Sequence, residues 1–386
     1  MLRPLWLTEN YPPDRGGMAQ SCDRIVRALR SRGVIIDLVH LTRRAASWRS
    51  ETKMRGRQIT APLSEDPSHT LNQLWSLLSR DQAPRPTHLV VFGGTLPMLA
   101  GPAFSAWLDV PLLTLIRGND FDAAVFSPKK SDVLFNALRA SERVCAVTRD
   151  HAIRIRALEP STAVDWIPNG VDAESWRLQP HDREAALRWR EQNVMPGRRV
   201  LGMFGQLKQK KGALFFLDVL ERSGRSGSIH LLLVGDLDAP LLAALDERRQ
   251  SLAFTVLPFR DRLDLLPLYA ACDAIAVPSF YDGLPNVVLE AAALGIPLIA
   301  SNAGGMPDVL DTDGSILFQS GDEHDCRRAI ETFVRSADEQ LRTLGQRCQQ
   351  RILQNFTVDR EADRYLEALQ TTLRARSNIT SVGGTP

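Results

Sequence analysis

Short runs of Val, Ile and Leu alternate with amphipathic runs along nearly the whole chain. In the first half the apolar runs predict strands at Pro4–Thr8, Val34–Leu41, His88–Phe92, Pro111–Ile116, Val144–Thr148 and Val164–Ile167. In the second half they predict Val200–Phe204, His230–Val234, Phe254–Leu257, Ala274–Val277, Pro297–Ala300 and Ile316–Phe318. Most of these runs are apolar at every position. Strands of that kind are covered on both faces, as in parallel sheets with helices above and below. After the first strand, Met18, Cys22, Ile25, Val26 and Leu29 recur at i, i+4, i+7, i+8 and i+11, and Gly33 supplies a stop. Strands alternating with helices argue for an α/β chain of doubly wound sheets. About a dozen strands exceed one such sheet of ordinary size, so two Rossmann-like domains are expected.

The turn cluster "IPNGVD" (Ile167–Asp172) closes the first strand–helix series, a charged helix follows over His181–Asn193, and the series restarts at Arg199. The expected division is an N-terminal domain over 1–175 and a C-terminal domain over 176–357. A last helix, 358–376, has no strand after it. The Ser/Gly/Thr-rich residues 377–386 read as a disordered tail. The segment Arg43–Arg57, "RRAASWRSETKMRGR", is basic and poor in apolar residues. It reads as a solvated loop or, with Trp48 as an interfacial ring, as a peripheral contact with an anionic acceptor or membrane surface.

With 386 residues, 44% of them hydrophobic, and a net charge of +2, the chain has no general signature of nucleic-acid binding. Cys22, Cys145, Cys272, Cys326 and Cys348 are scattered and odd in number. That spacing fits a reducing compartment and neither a disulfide framework nor a zinc site. The apolar run at the N-terminus is too short for a signal peptide, and no stretch reaches the roughly 20 apolar residues of a membrane span. Cytoplasmic residence is expected.

Open α/β sheets bind ligands at the carboxyl ends of their strands. Three such ends carry suitable chemistry. "MFGQLKQKKGA" (Met203–Ala213) runs from a strand through Gly205 into a loop with Lys208, Lys210 and Lys211, then Gly212 opens a helix. Backbone N–H groups and an ammonium there suit a phosphate. In "PSFYDGLPN" a strand ends near Val277, Pro285 fits a first helical turn, and the amides of Leu284 to Val288 would point at an anion. Glu290 sits on the following helix, otherwise apolar from Val287 to Leu294. A buried carboxylate is costly without donors. A pair of sugar hydroxyls or a neighbouring arginine would each satisfy it. "SNAGGMPD" (Ser301–Asp308) pairs glycines at a strand–helix turn, which allows close backbone approach.

Together these segments resemble the donor domain of the GT-B-fold nucleotide-sugar glycosyltransferases, in the retaining group-one or family-four class. The matching stretches are "GQLKQKKG", "LLLVGD" (Leu231–Asp236), "IPNGVD" and "PSFYDGLPNVVLEAAALGIPLIASNAGGMPD". In the first half, "YPPDRGGMA" (Tyr11–Ala19) is similar to that class's glycine-rich loop, and "RGND" (Arg117–Asp120) stands where many members have "HG.D". The resemblance covers nearly the whole chain. It implies two Rossmann-like domains facing a central cleft, an acceptor-binding first domain, a donor-binding second domain, and a last helix crossing back to the first. It implies that Glu290 binds the ribose hydroxyls, that Asp282 contacts the donor sugar, and that Lys211 neutralises the leaving diphosphate. The amides of Gly283, Leu284, Pro285, Asn286 and Val287, with Gly205 and Gln206, would line the donor site. Gly16 and Gly17 would let the N-terminal loop approach. Arg117 and Asp120 would stand near the reacting sugar. Three positions depart from the pattern: Asp282 for a glutamate, Gln206 for an arginine, and Arg117 for a histidine.

The implied reaction moves a glycosyl group from a nucleotide diphosphate sugar, UDP or GDP, to a hydroxyl of a glycan, glycolipid or small molecule, with retention. In the class's front-face displacement the leaving diphosphate accepts the acceptor's proton, and the chain offers no Ser-His-Asp set that would serve as a nucleophile instead. No permanent cofactor is expected. The triplets Asp120–Asp122, Asp236–Asp238 and Asp311–Asp313 read as incidental, so no metal is expected. A sugar-nucleotide 2-epimerase and a non-enzymatic nucleotide-sugar binder are the alternatives. A dehydrogenase is disfavoured because no GxGxxG follows the first strand.

Overall fold

The structure is a computed structural model that describes residues 1–382. The chain divides into two units: Met1–Asn169 together with the last helix, and Gly170–Thr357. The first unit holds strands β1 (Pro4–Thr8), β2 (Ile36–Thr42), β3 (Arg49–Lys53), β4 (Gly56–Pro62), β5 (His88–Phe92), β6 (Leu112–Ile116), β7 (Arg143–Ala146) and β8 (Val164–Trp166). They form one sheet in the order β3-β4-β2-β1-β5-β6-β7-β8, parallel except for β3 against β4. The second unit holds β9 (Arg199–Leu207), β10 (Ile229–Leu237), β11 (Ala253–Leu257), β12 (Ala274–Val277), β13 (Leu298–Ser301) and β14 (Ile316–Phe318), all parallel in the order β11-β10-β9-β12-β13-β14. Both are doubly wound α/β sheets, and the apolar runs mark their central strands. β1, β5 and β6 are buried at every position because helices cover both faces.

One expectation fails. Part of the segment read as a solvated loop is the hairpin β3–β4. β3 is "RSETK", exposed almost throughout, and it forms by pairing with β4 around Met54 and Arg55. An edge strand needs no apolar face, and charge on it discourages pairing with another chain. Much of the segment's charge is spent within the unit. Arg44 pairs with Asp14 at 2.7 Å, Lys53 with Glu51 at 2.7 Å, and Arg57 with Asp81. Trp48 is half-buried, packs against the core and donates to Gln73 at 2.9 Å. Among the described residues no helix is long and apolar enough to cross a membrane.

The last helix, Val358–Val382, runs past the expected end at Arg376, and of the expected tail residues 383–386 lie outside the described residues. The helix packs against the helix Gly17–Ser31 of the first unit, with Tyr365, Ala368 and Leu369 buried and Leu366 partly so. Polar contacts hold it as well. Glu361, 1% exposed, takes Arg24 at 2.8 Å and lies 3.7 Å from Arg117. Arg117 donates to Tyr365 Oη at 2.7 Å and to Asn169 Oδ1, and its guanidinium lies 5.5 Å from the centroid of the Phe92 ring. His88, buried on β5, lies with Nε2 2.9 Å from the Leu369 carbonyl.

Two outcomes follow for this clasp. Removing one partner of a buried ion pair strands the other, at about 3–5 kcal/mol. Glu361→Ala should therefore lower the melting temperature by on the order of 10 °C in calorimetry; an unchanged midpoint would show that the clasp carries no stability. Burial holds the His88 imidazole down at about 4. The unfolded chain then takes up a proton that the folded chain refuses. Stability unaffected above the ordinary histidine value of about 6.5 should fall as the pH drops from there to about 4, by about 3 kcal/mol. Urea titrations across that range should show His88→Gln with a flatter acid limb than wild type.

Candidate functional site

In the second unit the three strand ends singled out from sequence are joined into one rigid corner. The lysine loop turns through Gln209–Lys211, with Lys211 N–H donating to Lys208 O at 2.8 Å. Gly212 follows in the left-handed region at φ 67°, and a Cβ there would lie 2.0 Å from the Pro278 carbonyl oxygen. Only glycine lets this loop lie against the end of β12. Phe280 N–H then donates to Lys210 O at 2.9 Å, and the rings of Phe215 and Phe280 sit 5.5 Å apart. On the other side Gly304, at φ 56°, would carry a Cβ 1.9 Å from Asp282 O, and Gly305 N–H donates to Gly283 O at 2.8 Å.

Two ammonium groups meet one carboxylate in this corner. Lys210 Nζ lies 3.2 Å from Asp282 Oδ1, and Lys211 Nζ bonds Oδ2. Gly283 N–H adds a third donor at 3.0 Å. Burial alone would push the Asp282 carboxyl up; Lys211 and Lys210 more than offset it, and the net shift is downward. Lys208 and Gln206 are exposed. Helix Asn286–Ala293 starts one residue past Pro285, which serves as its cap, and Gly283, Leu284 and Pro285 are buried. Asn286 and Val287 open its first turn, and Glu290 is its fifth residue. Neither partner weighed from sequence accounts for the bond seen at Glu290: Tyr269 Oη donates to its Oε2 at 2.8 Å. Tyr269 is fully buried, stacked on Phe204 at 4.3 Å and edge-on to Trp176 at 5.6 Å. Burial, and then the charge of Glu290, raise its hydroxyl well above the ordinary tyrosine value, which keeps it a donor.

Residues 15–175 match the profile of Glycosyltransferase Family 4, and residues 198–336 that of Glycosyl transferases group 1. The chain belongs to the group 1 glycosyltransferases. Among curated relatives, a D-inositol 3-phosphate glycosyltransferase of Segniliparus rotundus is 27% identical over 245 residues, 61% of this chain and 53% of that protein. An Escherichia coli UDP-Gal:alpha-D-GlcNAc-diphosphoundecaprenol alpha-1,3-galactosyltransferase is 26% identical over 243 residues, 60% of each. The chain thus spans between half and two thirds of these relatives' length. Among solved structures, sucrose-phosphate synthase from Thermosynechococcus elongatus is similar with a TM-score of 0.81 at 17% identity, over 97% of this chain and 100% of that one. Anabaena HepE in complex with UDP-glucose is similar with a TM-score of 0.76 at 18% identity, over 96% and 100%. These likenesses establish the GT-B fold for this group 1 member.

In the first unit two expected site residues are turned to other work. Arg117 is buried in the clasp described above, where its guanidinium holds the last helix. Asp120 is buried too, and its carboxylate accepts the N–H groups of Arg117 at 2.9 Å and Gly118 at 2.6 Å. Burial raises its carboxyl against those bonds. It shapes the loop after β6. Gly16, at φ 114°, caps the helix Gly17–Ser31, and Gly17 is that helix's first residue. The loop before them is tethered by Asp14 to buried His40 at 3.1 Å and to Arg44. Each aspartate triplet has a residue with a structural partner. Asp122 pairs with His151, Asp238 caps the helix Ala239–Glu247, and Asp311 pairs with Arg351. A groove of about 780 Å³ between the β3–β4 hairpin and helix Pro67–Arg80 is lined by Trp48, Arg49 and Arg57 of the basic segment and by none of the expected donor-site residues.

Sequence reasoning missed Tyr269 and Glu9. Glu9, just past β1, accepts Leu96 N–H at 3.1 Å, and burial raises its carboxyl. Neither lies in a motif, and a lone tyrosine in an apolar helix reads as core. Tyr269→Phe keeps the ring stack and removes a donor from Glu290. We expect a loss of about 1–3 kcal/mol in unfolding free energy by urea denaturation. A variant as stable as wild type would show that Glu290 is satisfied by other donors.

Proposed function

We propose that the chain transfers a glycosyl group from a nucleoside diphosphate sugar to an acceptor hydroxyl, with retention at the anomeric carbon. The observation that carries this reading is the corner where Lys210, Lys211 and Asp282 converge, on the loops next to the helix that bears Glu290. Glu290, one oxygen held by Tyr269, takes the two ribose hydroxyls; a carboxylate is a strong acceptor for such a pair. The loop from Gly283 to Val287 faces the sugar and diphosphate, and Asp282 takes hydroxyls of the sugar. Lys211 stabilises charge as the diphosphate departs, and the departing oxygen takes the acceptor's proton. Catalysis then rests on positioning and on charge stabilisation, with no protein nucleophile. In the first unit, Gly16 and Gly17 let the N-terminal loop come close to the acceptor.

UDP is the favoured nucleotide. The E. coli relative is named for UDP-Gal, and a neighbour structure holds UDP-glucose. The acceptor is a glycan, glycolipid or small molecule. Cytoplasmic residence, with contact at the membrane face for a lipid-borne acceptor, belongs to the same reading.

Incubation with UDP-, GDP-, ADP- and dTDP-sugars, with and without acceptors, tests it. Transfer frees the nucleoside diphosphate and forms a glycosylated product whose anomeric configuration matches the donor's by NMR. Equilibration of donor isomers without acceptor would instead mark an epimerase, and neither result a binder. Lys211→Ala should lower turnover by about a hundredfold or more, the scale of losing one preorganised charge stabiliser, with little change in melting temperature because Lys210 still pairs Asp282. Glu290→Gln should weaken donor binding by roughly tenfold, as a charged acceptor becomes a neutral one. Wild-type affinity in that variant would remove Glu290 from the ribose site.

A further inference from the structure

We infer that Lys210 and Lys211 act as a pair that exchanges anions: Asp282 holds them in the unliganded chain, and the donor's diphosphate takes them when it binds. The inference rests on the donor-site reading above. The sequence leaves open which loop lysine besides Lys211 takes part, and the geometry selects Lys210.

The backbone of Lys210 is fixed by the Phe280 N–H at its carbonyl, so its side chain starts from a set place beside the β12 loop. Its ammonium lies 3.2 Å from one Asp282 oxygen while Lys211 holds the other, and 5.8 Å from the Tyr281 ring centroid. Two cations share one carboxylate here, each on its own oxygen. A phosphate group offers the same pair of oxygens on one centre with more charge. The lysine side chains are 19% and 24% exposed, whereas Asp282 is 13% exposed, so a ligand arriving from solvent meets the ammonium groups first. Gln206, neutral and exposed at the end of β9, adds no cation, and the second lysine restores the charge.

Exchange gives Asp282 two opposed effects. As the resident anion it competes with the diphosphate and weakens binding of any ligand that offers only phosphate. Once displaced it is an unpaired carboxylate next to the sugar position, an acceptor for hydroxyl groups. The lysines' transfer to the diphosphate thus arms the sugar contact.

The opposed signs give the test. Isothermal titration of the full chain would use UDP or GDP, whichever wild type binds, and inorganic pyrophosphate. Lys210→Ala should weaken both ligands by about tenfold to a hundredfold, the range of one charge-assisted hydrogen bond. Lys210→Arg, which keeps the charge, should recover most of that affinity. Asp282→Asn should bind the nucleoside diphosphate and pyrophosphate more tightly than wild type while turning over nucleotide sugar more slowly. Melting curves of each variant confirm that it is folded. Lys210→Ala affinity within twofold of wild type overturns the pair. A folded Asp282→Asn that binds more weakly than wild type makes Asp282 a scaffold and overturns the exchange. A wild-type chain that binds neither UDP nor GDP overturns the donor-site reading itself, and the inference with it.

Discussion

A carboxylate taken out of water must be given donors, and much of this chain is arranged around that requirement. Four buried or half-buried acids are satisfied by different means. Asp282 has two ammonium groups and an amide, Glu290 has a phenol, Glu361 has arginines, and Asp120 has the amides of its own loop. The means decides what the acid can do. Asp120 and Glu361 are closed off by structure, one shaping a loop and the other clasping a helix. Asp282 and Glu290 lie on the loop and the helix that follow β12, with side-chain partners from neighbouring elements.

The carboxyl end of the second sheet is crowded because parallel strands deliver every loop that follows a strand to the same side. Glycine settles how closely those loops pack. At Gly212 and Gly304 a single added carbon would strike a carbonyl oxygen, so the lysine loop, the Asp282 loop and the loop after β13 lie backbone against backbone. The side chains between them are set by main-chain bonds such as Phe280 N–H to Lys210 O and do not depend on the flexible lysine stems alone. Preorganisation of this kind is what a site acting by charge stabilisation needs.

The central strands were legible because burial on both faces leaves few polar positions to interrupt an apolar run, and β1, β5 and β12 fall at their expected bounds. The hairpin was not, since β3 owes its shape to β4 and nothing in "RSETK" speaks for a strand. The site divides the same way. Motif spacing singled out Lys211, Asp282 and Glu290, and the fold brings the first two into contact, because spacing reflects strand–loop–helix geometry that is local. What lies across the fold left no local trace: Tyr269 beneath Glu290 comes from the preceding helix, and Arg117 is drawn inward by Tyr365, 248 positions away.

The second unit begins and ends at neighbouring points. Val171 bridges Thr357, and Val171 N–H donates to Phe356 O at 2.8 Å. It is therefore an insertion into the first unit, whose last helix is made only after the whole of Gly170–Thr357. Synthesis at about 5–20 residues per second separates the two parts of the first unit by roughly 10–40 s. Through that interval Arg117 lacks Tyr365 and Glu361, and the apolar surface that receives Leu369 is bare. The inserted unit, contiguous in sequence, has everything it needs to close first. The order of completion on the ribosome is thus the reverse of the order of translation, and the nascent first unit is the part that calls for protection.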